Sequence, residues 1–203
     1  MSNISSTRTL ARRAGLAAVA VTAAALLAAC GSGQEERVAA APSASAAPAE
    51  AAHNAQDVAF AQGMIPHHRQ ALRMAELAAG RASSAQVQDL ASRIRAGQDP
   101  EITTMSGWLT VWGEDVPQGA SAMPGMPGMM GGQDMAKLEK ASGEDFDTQF
   151  LSLMIEHHKG AVDMARSEQD QGRYGPAKVL AGAVVSAQNA EIKEMTGLLG
   201  RRS

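Results

Sequence analysis

Aromatic side chains are scarce in this chain of 203 residues: three Phe, two Trp and one Tyr. Sheets favour aromatic and β-branched residues, so this composition argues against a sandwich or barrel. Cysteine is nearly absent. A single Cys, at position 30, excludes a disulfide framework or a cysteine-rich metal site within the chain. Positive charge is not in excess. The formal net charge is −3, without the basic footprint of a nucleic-acid binder. No Ser/His/Asp arrangement, phosphate-binding glycine loop or Cys–His pair is evident. What is abundant is methionine, with twelve residues, accompanied by five His.

The first thirty residues read as a targeting segment. Arg8, Arg12 and Arg13 precede an uncharged stretch from Ala14 to Ala29, mostly Ala, Val and Leu. This is short for a membrane span and has the flanks of a signal peptide. It ends Leu27-Ala28-Ala29-Cys30, which resembles the lipobox of bacterial lipoproteins, where cleavage precedes the Cys and a lipid is added to its sulfur. The expectation is a signal peptide over 1–29, lipidation at Cys30 and a position on the outer face of the cytoplasmic membrane. Loss of residues 1–29, with three Arg and no acid, leaves 15 basic against 21 acidic residues, a net −6. Acyl chains rather than a basic patch would then hold the protein to the membrane. Residues 30–52 are rich in Ala, Pro, Ser and Glu and lack hydrophobic periodicity, the signature of a disordered tether. The folded domain is expected over 53–203.

That domain is an internal duplication. At an offset of 90 residues, Asp57, Phe60, Met64, Ile65, His67, His68, Ala71, Met74 and Ala75 fall on Asp147, Phe150, Met154, Ile155, His157, His158, Ala161, Met164 and Ala165. In the same register, Gln98, Glu101, Ile102, Met105, Gly107 and Leu109 fall on Gln188, Glu191, Ile192, Met195, Gly197 and Leu199. One unit thus occurs twice, at about 53–113 and 143–200, joined by a linker over 114–142.

The periodicity is helical in both units. Phe60, Met64, His67, Ala71, Met74 and Ala78 form one stripe, with Gly80 as an expected stop. Val87, Leu90, Ile94, Gln98, Ile102, Met105 and Leu109 form the next, opened by a possible Ser83–Gln86 capping box and closed by Gly113. A third helix is expected from about Ser142 to Asp170, and a fourth from Gly175-Pro176 to Gly200. Pro66 and Pro100 fall inside the first two, where kinks are expected. Four amphipathic helices bury their stripes best as an all-α four-helix bundle of two repeated hairpins, with the long linker crossing one end.

Within that bundle, His67 lies about 25° from the stripe centre and His68 about 75°. His157 and His158 repeat the arrangement. Glu101 and Glu191 also fall near their stripe centres, and a buried carboxylate needs a partner. The pattern predicts a pseudo-two-fold cluster of His67, His157, Glu101 and Glu191. Met64, Met74 and Met105, with their repeats Met154, Met164 and Met195, would stack above and below it. The structural alternative is a buried His–Glu network with Met as core filler.

The linker reads Met123-Pro-Gly-Met126-Pro-Gly-Met129-Met130-Gly-Gly-Gln-Asp-Met135. A Gly/Pro loop has no core to fill, so Met126, Met129, Met130 and their neighbours are candidate ligands. Thioethers are soft donors that take Cu(I) or Ag(I) well and hard cations poorly. A lone Glu50-x-x-His53 has the spacing of carboxylate-bridged di-metal bundles but no counterpart in the repeat.

The doubled Phe-x3-Met-Ile-x-His-His-x2-Ala-x2-Met-Ala motif, the two Gln-x2-Glu-Ile-x2-Met segments and the Met-rich linker resemble the bacterial domain-of-unknown-function family 305, over about 53–200. The resemblance implies a ferritin-like bundle, usually secreted or lipid-anchored, with copper binding in some members and no assigned reaction.

The expected function is therefore a lipid-anchored protein that sequesters or buffers Cu(I) through Met and His, with no catalysis required. Two alternatives belong to other classes. One is a di-iron or di-manganese oxidase using the His/Glu cluster. The other is a non-catalytic structural or interaction module.

Overall fold

Asn54 opens the first helix. Its side chain accepts from the amides of Gln56 and Asp57 at 2.9 and 3.1 Å, and Asp57 accepts from the Asn54 amide at 2.6 Å. This reciprocal box satisfies N–H groups that have no partner within the helix. The computed structural model describes residues 52–119 and 126–201. The expected signal peptide, Cys30, nearly all of the tether and Met123 lie outside them.

Helix α1 spans Ala55–Arg81, α2 Ala85–Trp112, α3 Gly132–Lys140, α4 Gly143–Gln171 and α5 Gly175–Gly200. No strand occurs among the described residues. The four long helices match the expected ones to within about a residue at each end that the sequence marked, and α1 and α2 run continuously through Pro66 and Pro100. Gly113 ends α2 at φ 77°, the left-handed position that glycine fills without strain.

Three local expectations fail. Gly80 does not stop α1, which continues to Arg81 and leaves through Ala82 in extended backbone. Ser83 and Gln86 form no capping box. Ser83 Oγ instead donates to Asp147 Oδ2 at 2.6 Å, and the Ser84 amide donates to the same oxygen at 3.0 Å. A carboxylate arriving from α4 is a stronger acceptor than a neighbouring amide side chain. Finally, the linker is not all loop. Met135 and Leu138, one turn apart in α3, are buried in the core, so Met135 is a packing residue.

Asp147 has a mirror in Asp57. Asp57 accepts from the amides of Arg173 and Tyr174 at 3.0 and 2.9 Å, just before α5. Each repeat therefore lends a carboxylate to the interhelical turn of the other. These charged hydrogen bonds tie the two hairpins together at both ends.

Helix α1 packs on α2, α4 on α5, and α1 on α4. The apolar core is divided in two. One half gathers Met74, Leu90, Phe146, Phe150, Met154 and Met195. The other gathers Phe60, Met64, Met105, Leu109, Ala161 and Val184. Between these halves, each long helix contributes buried polar residues: His67 and His68 from α1, Gln98 from α2, His157 and His158 from α4, and Gln188 from α5. A polar layer crosses the middle of the bundle.

Candidate metal centre

The polar layer is built by helical periodicity and repeated by duplication. His67 and His157 face each other across the α1–α4 seam, with ring centroids 3.8 Å apart and planes tilted by 41°. Both rings are fully buried. The adjacent histidines turn the other way, into their own hairpins. His68 Nε2 donates to Glu101 Oε2 at 2.7 Å and His158 Nε2 to Glu191 Oε2 at 2.6 Å.

This corrects the expected four-residue cluster. Glu101 and Glu191 pair with His68 and His158 rather than with His67 and His157. The physical reason is that neighbouring helical residues differ by about 100° in direction. The ring facing across the seam cannot also face the hairpin partner. Among the described residues, no group of three or more His, Cys, Asp or Glu side chains is placed to hold one ion.

His67 Nε2 meets the carbonyl oxygen of Pro127 in the linker at 3.1 Å. A carbonyl only accepts, so Nε2 carries the proton and the lone pair of the neutral ring lies on Nδ1. Burial, aided by the nearby His68, pushes the His67 ring down to about 3. His157 is also held well below its usual value, by burial and then by His67. Both rings are thus neutral, which is the form that ligates metals.

Their remaining nitrogens have no hydrogen-bond partner. His67 Nδ1 and both nitrogens of His157 are buried and unmatched, as are Nδ1 of His68 and of His158. The amide of Gln98 and Oε1 of Gln188 are unmatched in the same layer. Buried polar atoms are nearly always partnered in native proteins. Each neutral ring keeps one nitrogen lone pair here, and the oxygens of Gln98 and Gln188 add more, so the layer carries lone pairs open to a cation or to ordered water.

Two methionines gather one helical turn from His67. A Cβ placed on Gly63, one turn before His67, would lie 3.6 Å from Met164 Sδ and 3.9 Å from Met126 Cε. The bare backbone at Gly63 thus gives room to one Met from α4 and one from the linker. Met126 directly precedes the Pro127 that holds His67. The other helical candidates lie deeper: Met64, Met74, Met105, Met154 and Met195 are fully buried in the two apolar halves. Met129 and Met130 are partly buried in the linker.

Sequence reasoning missed four contributors: Gly63, Gln70, Pro127 and Gly160. Gln70 brackets the linker, accepting from the Met130 amide at 2.7 Å and donating to the Met130 carbonyl at 3.0 Å. The signal for three of them was present as departures from the repeat. Gly63 corresponds to Leu153, and Gln70 to Gly160.

Comparison with known proteins gives a consistent relationship. The model of the family described as Domain of unknown function (DUF305) matches residues 57–199. A DUF305 protein of Streptomyces coelicolor, described as secreted, is 34% identical, with a TM-score of 0.68, over 72% of this chain and 93% of that one. A DUF305 fragment from Deinococcus radiodurans is 34% identical, with a TM-score of 0.67, over 73% of this chain and 97% of that one. CopM in its Cu(II)-bound form is 31% identical, with a TM-score of 0.65, over 72% of this chain and 97% of that one. CopM structures also exist in Cu(I)-bound and Ag-bound forms. No curated protein matches the chain. A family model spanning most of the folded domain, together with solved members of the same architecture, makes this chain a member of the DUF305 family.

Proposed function

We propose that this protein captures Cu(I), or Ag(I) as its mimic, outside the cytoplasm and buffers it at the membrane surface. One observation carries the reading. Two neutral imidazoles, buried ring to ring, keep unmatched nitrogens, and two methionines meet at Gly63, one helical turn from His67. Imidazole nitrogen and thioether sulfur form a soft, uncharged donor set that favours a monovalent polarisable ion over hard divalent ones. The metal-bound forms of CopM, at 31% identity, support the same cargo.

The surrounding bonds fit that role. Metal-ligating histidines usually donate their other ring N–H to a carboxylate or backbone carbonyl, which fixes tautomer and orientation. His67 does so to Pro127, His68 to Glu101 and His158 to Glu191. His67, His157, Met126 and Met164 are the donors of this reading. Met64, Met154, His68 and His158 stand immediately around them in sequence. Lipidation at Cys30 would tether the domain to the outer face of the membrane through residues 31–52. The secreted description of the Streptomyces relative supports the extracytoplasmic side.

The two carboxylate–histidine bonds also favour a second reading, in which the polar layer only sets the register of the helices. Anaerobic titration with Cu(I), followed by X-ray absorption, separates the two. Mixed sulfur and nitrogen ligation is expected. An all-oxygen shell would refute the soft-donor site, and no binding with an unchanged melting temperature would refute metal capture.

A further inference from the structure

The linker is seated on the bundle by contacts with both repeats. It runs along the α1–α4 seam. Met126 lies at Gly63 and Met164, the Pro127 carbonyl at His67, and Gly128 against α4. Gly128 has φ 73°, and a Cβ on it would lie 2.8 Å from the carbonyl oxygens of Glu156 and His157. A Cβ on Gly160 would collide with the Pro127 carbonyl. Beyond, Gln70 holds Met130 by both its amide and its carbonyl.

Gln70 and Gly160 are equivalent positions of the two repeats. The same linker touches both, and it uses them in opposite ways. Gln70 supplies a two-bond clamp, while Gly160 supplies the missing volume. A second Gln at position 160 would fill the groove, and a second Gly at position 70 would lose the clamp. The duplication therefore yields two His-His pairs but one seat for the linker.

We propose that Gln70 and Gly160 are positioning residues for the soft-donor site. By seating the linker they bring Met126 to Gly63, where Met164 also lies, one helical turn from His67. They also commit His67 Nε2 to a carbonyl, leaving Nδ1 as the donor. The bundle then offers one mixed sulfur–nitrogen site rather than two symmetric ones. This rests on the Cu(I) reading above, and its test is arranged so that the two fail separately.

The test compares wild-type protein with Gly160→Ala and Gln70→Ala. Alanine suits a helix interior better than glycine, so Gly160→Ala keeps α4 while evicting Pro127. Without metal, hydrogen exchange at the Met130 amide should speed up in both variants, because its bond to Gln70 is lost. With Cu(I), the sulfur count from X-ray absorption should fall while nitrogen ligation remains, and affinity should drop on the order of 10-fold, the scale of supporting-residue losses at metal sites. Gln70→Glu, which still accepts from the Met130 amide, should recover part of both. If wild-type protein binds no Cu(I), the function reading itself is wrong. If wild-type protein binds and the variants free the Met130 amide yet keep sulfur count and affinity, the positioning role is refuted.

Discussion

Glu168 lies buried with its carboxyl against that of Asp57, at the junction of the α4 end and the α1 start. The two acids divide their roles. Burial alone would raise Asp57, but hydrogen bonds from Glu168 and from the amides of Asn54, Tyr174 and Arg173 hold it below the usual carboxylate value. Burial, and then the bond to Asp57 and its charge, push Glu168 up to about 8, with Lys178 pulling the other way. No N–H among the described residues donates to either Glu168 oxygen, so a proton on Glu168 is the link between them.

Glu168 should therefore cost stability at alkaline pH. Below its ordinary value of 4.5 it is protonated in folded and unfolded chains alike, and its contribution is fully present. As pH rises toward about 8, ionisation is easier in the unfolded chain, and stability is lost at up to roughly 1.4 kcal/mol per pH unit. Glu168→Gln keeps a donor to Asp57 without an ionisable proton. Urea unfolding of the metal-free protein should show a flatter profile for the variant across this window and a higher midpoint at its alkaline end. Parallel profiles would contradict the shared proton.

Acid should act on the imidazole layer with the opposite sign. The unfolded chain protonates His67 near its ordinary 6.5, whereas the buried ring resists until about 3. Stability then falls as pH drops through that window, again at up to about 1.4 kcal/mol per unit for each such ring. His157→Leu should make this acid limb shallower. At neutral pH the metal-free variant should be as stable as the wild type or more so, because a buried unmatched polar ring is exchanged for an apolar side chain. The thermal shift on adding Ag(I) should shrink or vanish. A variant that is strongly destabilised yet still shifts with Ag(I) would assign His157 a purely structural role.

The carboxylates exchanged between the hairpins should hold the bundle ends. Asp57→Ala removes the acceptor of three backbone amides, and Asp147→Ala removes that of Ser83 and Ser84. Each should cost about 1–3 kcal/mol in urea unfolding, the usual penalty for stranding buried donors. Hydrogen exchange should rise at Arg173 and Tyr174 in the first variant and at Ser84 in the second. Unchanged exchange at these amides would show that the ties do not hold the turns.

Cys30→Ser should release the protein from the membrane fraction of a bacterial host, since one thiol carries the whole anchor in this reading. Cell fractionation with detection of the folded domain is sufficient. Persistence in the membrane after the substitution would point to another attachment.

The helices and the repeat were legible because their causes are local. Apolar residues at steps of three and four mark α1, α2, α4 and α5, and Gly113 marks a left-handed stop by itself. The short α3 was hidden, since Met135 and Leu138 give a single turn of pattern amid glycines. Gly80 misled because glycine permits a stop without imposing one. Ser83 misled because its acceptor lies 64 residues away in sequence.

The amino-acid order by itself determined a doubled helical hairpin and the inward direction of His67 and His157, for both follow from residue type and a 3.6-residue period. Tertiary structure alone decided that His67 meets His157 while His68 and His158 take the glutamates. It also decided that the Met126 linker crosses the imidazole pair. Both choices depend on which helix faces which, and on the space left at Gly63 and Gly160. A one-dimensional pattern does not encode the volume that a missing side chain leaves for a distant segment.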